Sequence, residues 1–511
     1  MTRGLRLAVL ALSLAVMGAG SQACAARTLP SDRIVVALAN SPTNLDPGVG
    51  VDEASQKLHQ LLYNSLVKID ASLRVVPDLA TRFDTTDWQT FTAVLPQGVR
   101  FHDGHELTSA DVAFTFRRFL DPAFTSARKG AYRDLASIEI ADRYTVRFHL
   151  KRPSASFPIN LVMGIVPEGT GASAARRPVG TGPYRLAEFV ADDHVTLDPF
   201  PDYYAGAPRN SGLLFRTVPD ETMRGLELRK GSVDLVVNDL SPDMVHSLEE
   251  HGGLAVTRGA GTDYAYIGFN LRDRVLADLR VRQAIGYAID RADIVHYLRR
   301  GLARETPGIV PEMSWAFAKD AFVFTHDPAR ARALLDEAGY TDPDGPGPAV
   351  RLRLTLKTST DERYRTQAAV IQQQLAEVGI GLDVRSYEFA TLMSDVIRGN
   401  VQLYTLQYVG VTDPDMLRRA FHSSQTPPDG FNRGRYSNPE VDRLIEAATS
   451  SLDETERARL YQEAQRRIAA DVPYVSLWAK TNVAVAQPAL RGVTLSPIAD
   501  FLFLKDVTRA R

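Results

Sequence analysis

Imidazole and carboxylate groups crowd together most closely at His102-Asp-Gly-His-Glu106, residue types that suit zinc or nickel. Their spacing does not put them on one helical face, and Asp103-Gly104 supplies a turn in which glycine tolerates positive φ, so the run reads as a surface turn and no metal is assigned. Asp413 and Asp415 form an acidic pair around a proline, just past an apolar strand at 401–408. Acidic pairs in such turns are usually solvated, but the carboxyl end of a strand is where an α/β lobe presents ligand-binding groups, which keeps Asp413 as a candidate. Arg433 and Arg435 flank a glycine and could make a forked carboxylate or phosphate site, against the plainer reading of solvated loop arginines. Tyr408 and Trp478 offer flat surfaces for apolar side chains or sugars, with core packing favoured for Trp478. Trp315 stands in a long loop at 307–324, where a tryptophan either reaches a cleft or pins the loop. His422 could touch a chelated metal, although a lone histidine is more often structural. No GxSxG, HExxH, CxxC, Walker or dinucleotide glycine pattern stands in a strand-to-helix context, so neither catalysis nor a cofactor is expected.

These residues need elements to hold them. At 511 residues the chain allows about three domain-sized units, or two lobes of which one is enlarged. Its 59 Lys and Arg against 61 Asp and Glu leave no field to draw nucleic acid or an anionic membrane. Arg3 and Arg6, the apolar run 7–19 and the small residues at 21–26 have the layout of a secretory signal peptide at 1–25, cleaved near Ala25 or Ala26. Cys24 is the only cysteine, so no intramolecular disulfide is possible. A second reading makes Cys24 the lipidated first residue of a lipoprotein, with Ser21-Gln22-Ala23 a poor match to such sites.

Residues 34–39 (IVVALA) read as a buried strand leading into a loop at Asn40-Ser41-Pro42. Several short alternating segments follow (66–69, 90–95, 145–150), together with the stretch 98–120, in which a turn precedes a helix capped by Thr108 or Ser109 with Val112, Phe116 and Phe119 on one face. That combination predicts a compact α+β insert between about 63 and 184. The turn at 179–184 has two glycines and a proline around Thr181 and can expose bare N–H groups to a ligand. The alternating strand 264–270 is the first crossing between lobes. Asp290 then caps a helix over 291–300 that Gly301 stops. A β-α-β-α-β series (351–356, 361–378, 380–387, 392–398, 401–408) demands a parallel sheet covered by helices. Two more helical runs occupy 444–470, and 474–486 returns to the first lobe. Two crossings make a hinge.

The stretch 98–120, Val179-Gly-Thr-Gly-Pro-Tyr184, Val281-Arg-Gln-Ala-Ile-Gly-Tyr-Ala-Ile-Asp290, DPARARALLDEAGY at 327–340 and Tyr436-Ser-Asn-Pro-Glu-Val-Asp442 resemble, in order, motifs of the family 5 extracellular solute-binding proteins, the peptide and nickel binders of ABC importers. The resemblance implies an α/β, two-lobed type 2 periplasmic-binding-protein fold with an extra α+β subdomain in lobe 1. Lobe 1 would span 30–265 with its insert at about 65–183, lobe 2 would span 270–478, and 484–511 would return to lobe 1. It implies an exported, periplasmic, monomeric protein, not an enzyme, that takes up a peptide or peptide-like ligand and passes it to a permease and ATPase complex. In this family the loop at Asn44-Leu-Asp-Pro47 borders the cleft, and an aspartate shortly after the 401–408 strand takes the peptide's α-ammonium. Gly410 stands where that aspartate is expected. Either Asp413 substitutes for it, or the ligand lacks a free α-amine there and is a blocked peptide, a sugar conjugate or a metal chelate. A chelate or oligosaccharide binder is therefore the alternative reading, with an exported hydrolase a third.

Overall fold

The computed structural model describes residues 33–345, 349–428 and 430–510; the signal-peptide and Cys24 readings lie outside these residues. Two long strands, Ala255–Phe269 and Tyr474–Ala486, run antiparallel and join the two lobes into one sheet. On the lobe 1 side the sheet continues through Leu235–Val237, Ile34–Leu38, Leu213–Thr217, His194–Pro199 and Tyr184–Val190. On the lobe 2 side it continues through Leu403–Tyr408, Leu352–Ser359 and Ile380–Tyr387, and these three run parallel to one another.

The two long strands pair at 255–260 with 481–486 and again at 264–268 with 474–479, and between them the register slips at Gly261-Thr262-Asp263. Three residues here oppose Lys480 alone, an irregularity that loosens the ladder and bends it locally. Gly261 is required at this point: a Cβ would come within 2.9 Å of both the Lys480 carbonyl and Asn482 Oδ1. The expected crossing at 264–270 thus begins earlier, at Ala255, because Arg258, Gly259 and Gly261 hide the strand's alternation.

Lobe 2 follows the expected β-α-β-α-β order, with helix Glu362–Ala376 burying Ala368, Ile371 and Leu375. The insert is an antiparallel sheet, Arg82–Thr85, Thr90–Val94, Thr145–Leu150 and Leu135–Asp142, covered by helix Ser109–Arg117. Val112, Phe116 and Phe119 are buried under that helix, and Phe116 meets Phe148 edge-on at 5.1 Å. Asp111 Oδ2 accepts from the Thr108 N–H at 2.8 Å, which holds the helix start. Among the described residues no helix is long and apolar enough to cross a membrane.

Two local readings need correction. The segment 291–300 is not one regular helix; a short turn at Arg291–Asp293 passes into a π-helical turn at Ile294–Leu298, and Arg300 and Gly301 follow with φ of 47° and 73°. The turn at 102–106 is on the surface only from Asp103 to His105. His102 points inward, accepting at Nδ1 from the Gly180 N–H (3.2 Å) and donating from Nε2 to the Gly182 carbonyl (3.0 Å). Burial pulls its pKa down to about 4, so it stays neutral and ties this turn to 179–184.

Candidate functional site

Strand Leu403–Tyr408 has ladder pairing with Leu352–Ser359 only at Leu403 and Tyr404, Thr405 Oγ1 still lies 2.7 Å from Thr358 Oγ1, and the strand's end at Gln407 and Tyr408 borders the space between the lobes. The run 407–413 borders three cavities. One of about 400 Å³ separates it from the insert and is lined by Tyr408, Val409, Gly410, Asp413 and Arg419 opposite Arg133 and Asn160. A second, about 300 Å³, shares Asp413 and Ile159 with the first and is walled by Trp88, Trp315 and Arg457. The third, about 560 Å³, lies between lobe 1 and the other face of the strand, where Gln407 points. None of the three is lined by a histidine or cysteine among the described residues.

Gly410 has no side chain to offer and sits at φ 66°, in the left-handed region that glycine enters freely. A carboxylate nevertheless stands against its backbone. Asp263, from the hinge bulge, accepts from the Gly410 N–H at 3.0 Å and from Gln407 Nε2 at 3.1 Å, with Lys480 Nζ 3.6 Å away. Val411 N–H donates to the Thr262 carbonyl (3.1 Å), so the bulge also holds the cleft-lining run. Val409 is 77% exposed, an apolar side chain that nothing in the protein covers.

Asp413 is only partly exposed, and no Lys or Arg among the described residues reaches ion-pair distance of it. Loss of water, with repulsion from Asp415, pushes its carboxyl up to about 7. Asp415 is different: it is buried and paired with Arg418 at 3.0 Å. The acidic pair is therefore not a solvated turn but one carboxyl paired with an arginine and one, Asp413, that accepts the Asp415 N–H at 2.7 Å without a cation beside it.

Trp315 borders the second cavity and packs edge-on against Tyr461. The Arg457 guanidinium lies between it and Trp88, 5.1 and 5.0 Å from the two rings, which draws the insert and lobe 2 together. Tyr408 is buried and stacks on Tyr266 (5.1 Å), which stacks in turn on Tyr474 (4.2 Å). Arg433 sits 5.2 Å from both the Tyr408 and Phe431 rings and donates to Tyr266 Oη at 3.1 Å. Burial holds the Tyr266, Tyr408 and Tyr474 hydroxyls well above their usual pKa, so the cluster is neutral apart from Arg433.

The remaining sequence candidates sit elsewhere. Arg435 donates to the Ile397 carbonyl at 2.7 Å and lines none of the three cavities. Thr181 is buried against Asn64, and Asn44 shapes its own loop through the Asp46 N–H (2.9 Å) and His59 Nε2 (3.1 Å). Trp478 is buried and donates to Gln367 Oε1 at 2.9 Å, yet one edge lines the third cavity. His422 contacts Glu446 and Ser424. No group of three or more metal-ligating side chains gathers among the described residues. Sequence reasoning missed Asp263, Arg299, Arg457 and Trp88. Of these only Asp263 carried a signal, a carboxylate two places after Gly261 and directly before the aromatic run Tyr264–Phe269.

The profile of the bacterial extracellular solute-binding proteins, family 5 Middle, matches residues 74–428. The glutathione-binding protein GsiB of Salmonella typhimurium is 30% identical over 510 residues, covering 96% of this chain and 97% of GsiB. The oligopeptide-binding protein AppA of Bacillus subtilis is 28% identical over 91% of this chain and 90% of AppA. The structure of AppA in complex with a nonapeptide superposes with a TM-score of 0.72 at 26% identity, covering 94% of this chain and all of that one. HbpA2 from Haemophilus parasuis gives a TM-score of 0.84 at 24% identity over the same shares, a likeness of fold.

Proposed function

The chain belongs to the family 5 bacterial extracellular solute-binding proteins, and on that premise we propose that it captures a peptide or peptide-like ligand between its lobes and delivers it to the permease of an ABC importer. The observation that carries the ligand class is the run 408–413: a strand end entering the space between lobes, with an open edge, an uncovered Val409 and the unpaired carboxyl of Asp413. An extended peptide adds to such an edge through its own backbone, and its side chains fall alternately into the flanking spaces. Asp413 takes the ligand's ammonium in place of the side chain that Gly410 lacks. The names of the relatives, glutathione-binding and oligopeptide-binding, favour the same class.

In this reading lobe 1 spans 30–265 with its insert at about 65–183, lobe 2 spans 270–478, and 484–511 returns to lobe 1. The protein acts outside the cytoplasmic membrane as a monomer and catalyses nothing itself; the energy for transport comes from the partner ATPase. Ligand binding shifts the open and closed populations by no more than its preference for the closed form.

The test is thermal unfolding of the mature chain against glutathione, tri- to pentapeptides, their amine-blocked forms, oligosaccharides and metal chelates. A ligand held only by the folded protein at 100 times its Kd adds about 2.7 kcal/mol of stability, a rise of several degrees. Free-amine peptides are expected to give that rise. A rise confined to chelates or sugars would contradict the proposal and favour the reading in which Gly410 marks a change of ligand.

A further inference from the structure

Residues 409–412 carry the chain from the end of strand Leu403–Tyr408 to Asp413, and very little holds them. Among the described residues, their hydrogen bonds to other elements are two: Gly410 N–H to Asp263 at 3.0 Å and Val411 N–H to the Thr262 carbonyl at 3.1 Å. Both end on the segment where the two long strands lose their register. Val409 is exposed, and a Cβ on Gly410 would meet nothing within 4 Å, so packing does not fix the turn. A glycine in the left-handed region has many other conformations open to it, and the contacts that select this one are those to Thr262 and Asp263.

Of the two, Asp263 carries the charge. Its side chain is 14% exposed; one carboxylate oxygen takes the Gly410 N–H, and the other accepts from Gln407 Nε2 at 3.1 Å and lies 3.6 Å from Lys480 Nζ. Lys480 stands on the second long strand, opposite the irregularity, and Gln407 is on the strand that leads into the run. Gln407 is held from its other side by Tyr364, whose hydroxyl donates to its Oε1 at 3.4 Å. A single carboxylate thus joins both strands that link the lobes to the run that bears Asp413. A hydrogen bond to an ionised acceptor is roughly twice as strong as a neutral one, which makes Asp263 the stronger of the two ties.

We infer that Asp263 is a positioning residue for the ligand: by holding Gly410 it aims residues 411–413, and with them the Asp413 carboxyl, at the ligand's ammonium. The inference rests on the peptide reading with Asp413 as anchor, and adds that recognition of the amine is set from the strands that join the lobes.

Calorimetric titration of the mature chain with Ala-Ala-Ala and N-acetyl-Ala-Ala-Ala tests it as a ratio of affinities. The wild type is expected to prefer the free amine roughly 100-fold, as a desolvated charge pair would give. Asp263→Ala, at an irregularity where it spares the ladder's pairing, should lose at least about tenfold of that preference, the scale of one hydrogen bond to a charged group. Asp263→Asn keeps an acceptor for the Gly410 N–H and should restore most of it. A role confined to stability would weaken both peptides alike, so a preference unchanged in Asp263→Ala, or an Asp263→Asn protein no better than Asp263→Ala, would overturn the inference. Equal affinity of the two peptides for the wild type would remove Asp413 as anchor and this inference with it, leaving the peptide reading standing. Should neither peptide bind the wild type, the peptide reading fails, and hydrogen exchange of the ligand-free chain decides the positioning role alone. Faster exchange at Gly410 and Val411 in Asp263→Ala that Asp263→Asn slows again keeps that role, and exchange unchanged from the wild type removes it.

Discussion

Asp413→Asn is expected to weaken a free-amine peptide roughly 100-fold at pH 7.5, because removing one partner of a desolvated charge pair costs about 2–5 kcal/mol. The same substitution should flatten a steep pH profile. In the ligand-free protein the Asp413 carboxyl titrates at about 7, held up by burial and by Asp415. A ligand ammonium favours its ionised form, so binding below pH 7 expels a proton. Well below the pKa, affinity then falls by about tenfold for each pH unit, which amounts to about 50-fold between pH 7 and pH 5. Titrations in two buffers of different ionisation enthalpy read the released proton directly. A wild-type affinity that is flat from pH 5 to 7.5, or an Asp413→Asn protein that keeps the wild-type slope, would remove Asp413 from the site.

Arg282→Met is expected to cost roughly 3–5 kcal/mol of stability, the scale on which breaking a buried charged network falls. Arg282 is 7% exposed, and its guanidinium donates to four backbone carbonyls: Leu276 (2.7 Å), Ala277 (2.9 Å), Asp471 (2.7 Å) and Val472 (3.0 Å). The first two precede helix Leu279–Ala288 and the last two end helix Glu454–Asp471, so one side chain ties together segments distant in sequence. Methionine keeps much of the apolar volume and leaves those carbonyls buried without donors. The urea midpoint reports the loss, with exposed Arg229→Met as the comparison; similar midpoints for the two variants would contradict the assignment.

Local chemistry explains what could be read from sequence. The turn and helix at 98–120 declare themselves because Gly104, Thr108 and the Val112, Phe116, Phe119 stripe act within a few residues of one another. The alternating lobe 2 series is legible for the same reason, since each helix and strand buries its own periodic face. The long strand Ala255–Phe269 is only half legible, because what keeps Arg258, Gly259 and Ala260 in the sheet is pairing with Tyr474–Ala486, far away in sequence. His102 looked like a surface turn residue until the chain brought Gly180 and Gly182 against it. Among the site candidates, Tyr408, Gly410 and Asp413 share one cavity wall, whereas Asn44 serves its own loop, Thr181 binds Asn64 and Arg435 binds the Ile397 carbonyl. Arg299 and Arg457 are unremarkable in sequence, and only the tertiary placement of Trp478, Trp88 and Trp315 beside them sets them apart.

The central claim, a ligand held between the lobes at the end of strand Leu403–Tyr408, is tested most directly by hydrogen–deuterium exchange with and without a saturating free-amine tripeptide. Protection is expected at 405–413 in lobe 2 together with 130–134 or 154–160 of the insert across the cleft, and reduced exchange at the hinge bulge 261–263. Protection on one lobe alone, or none at these segments while the peptide is bound, would contradict capture between the lobes.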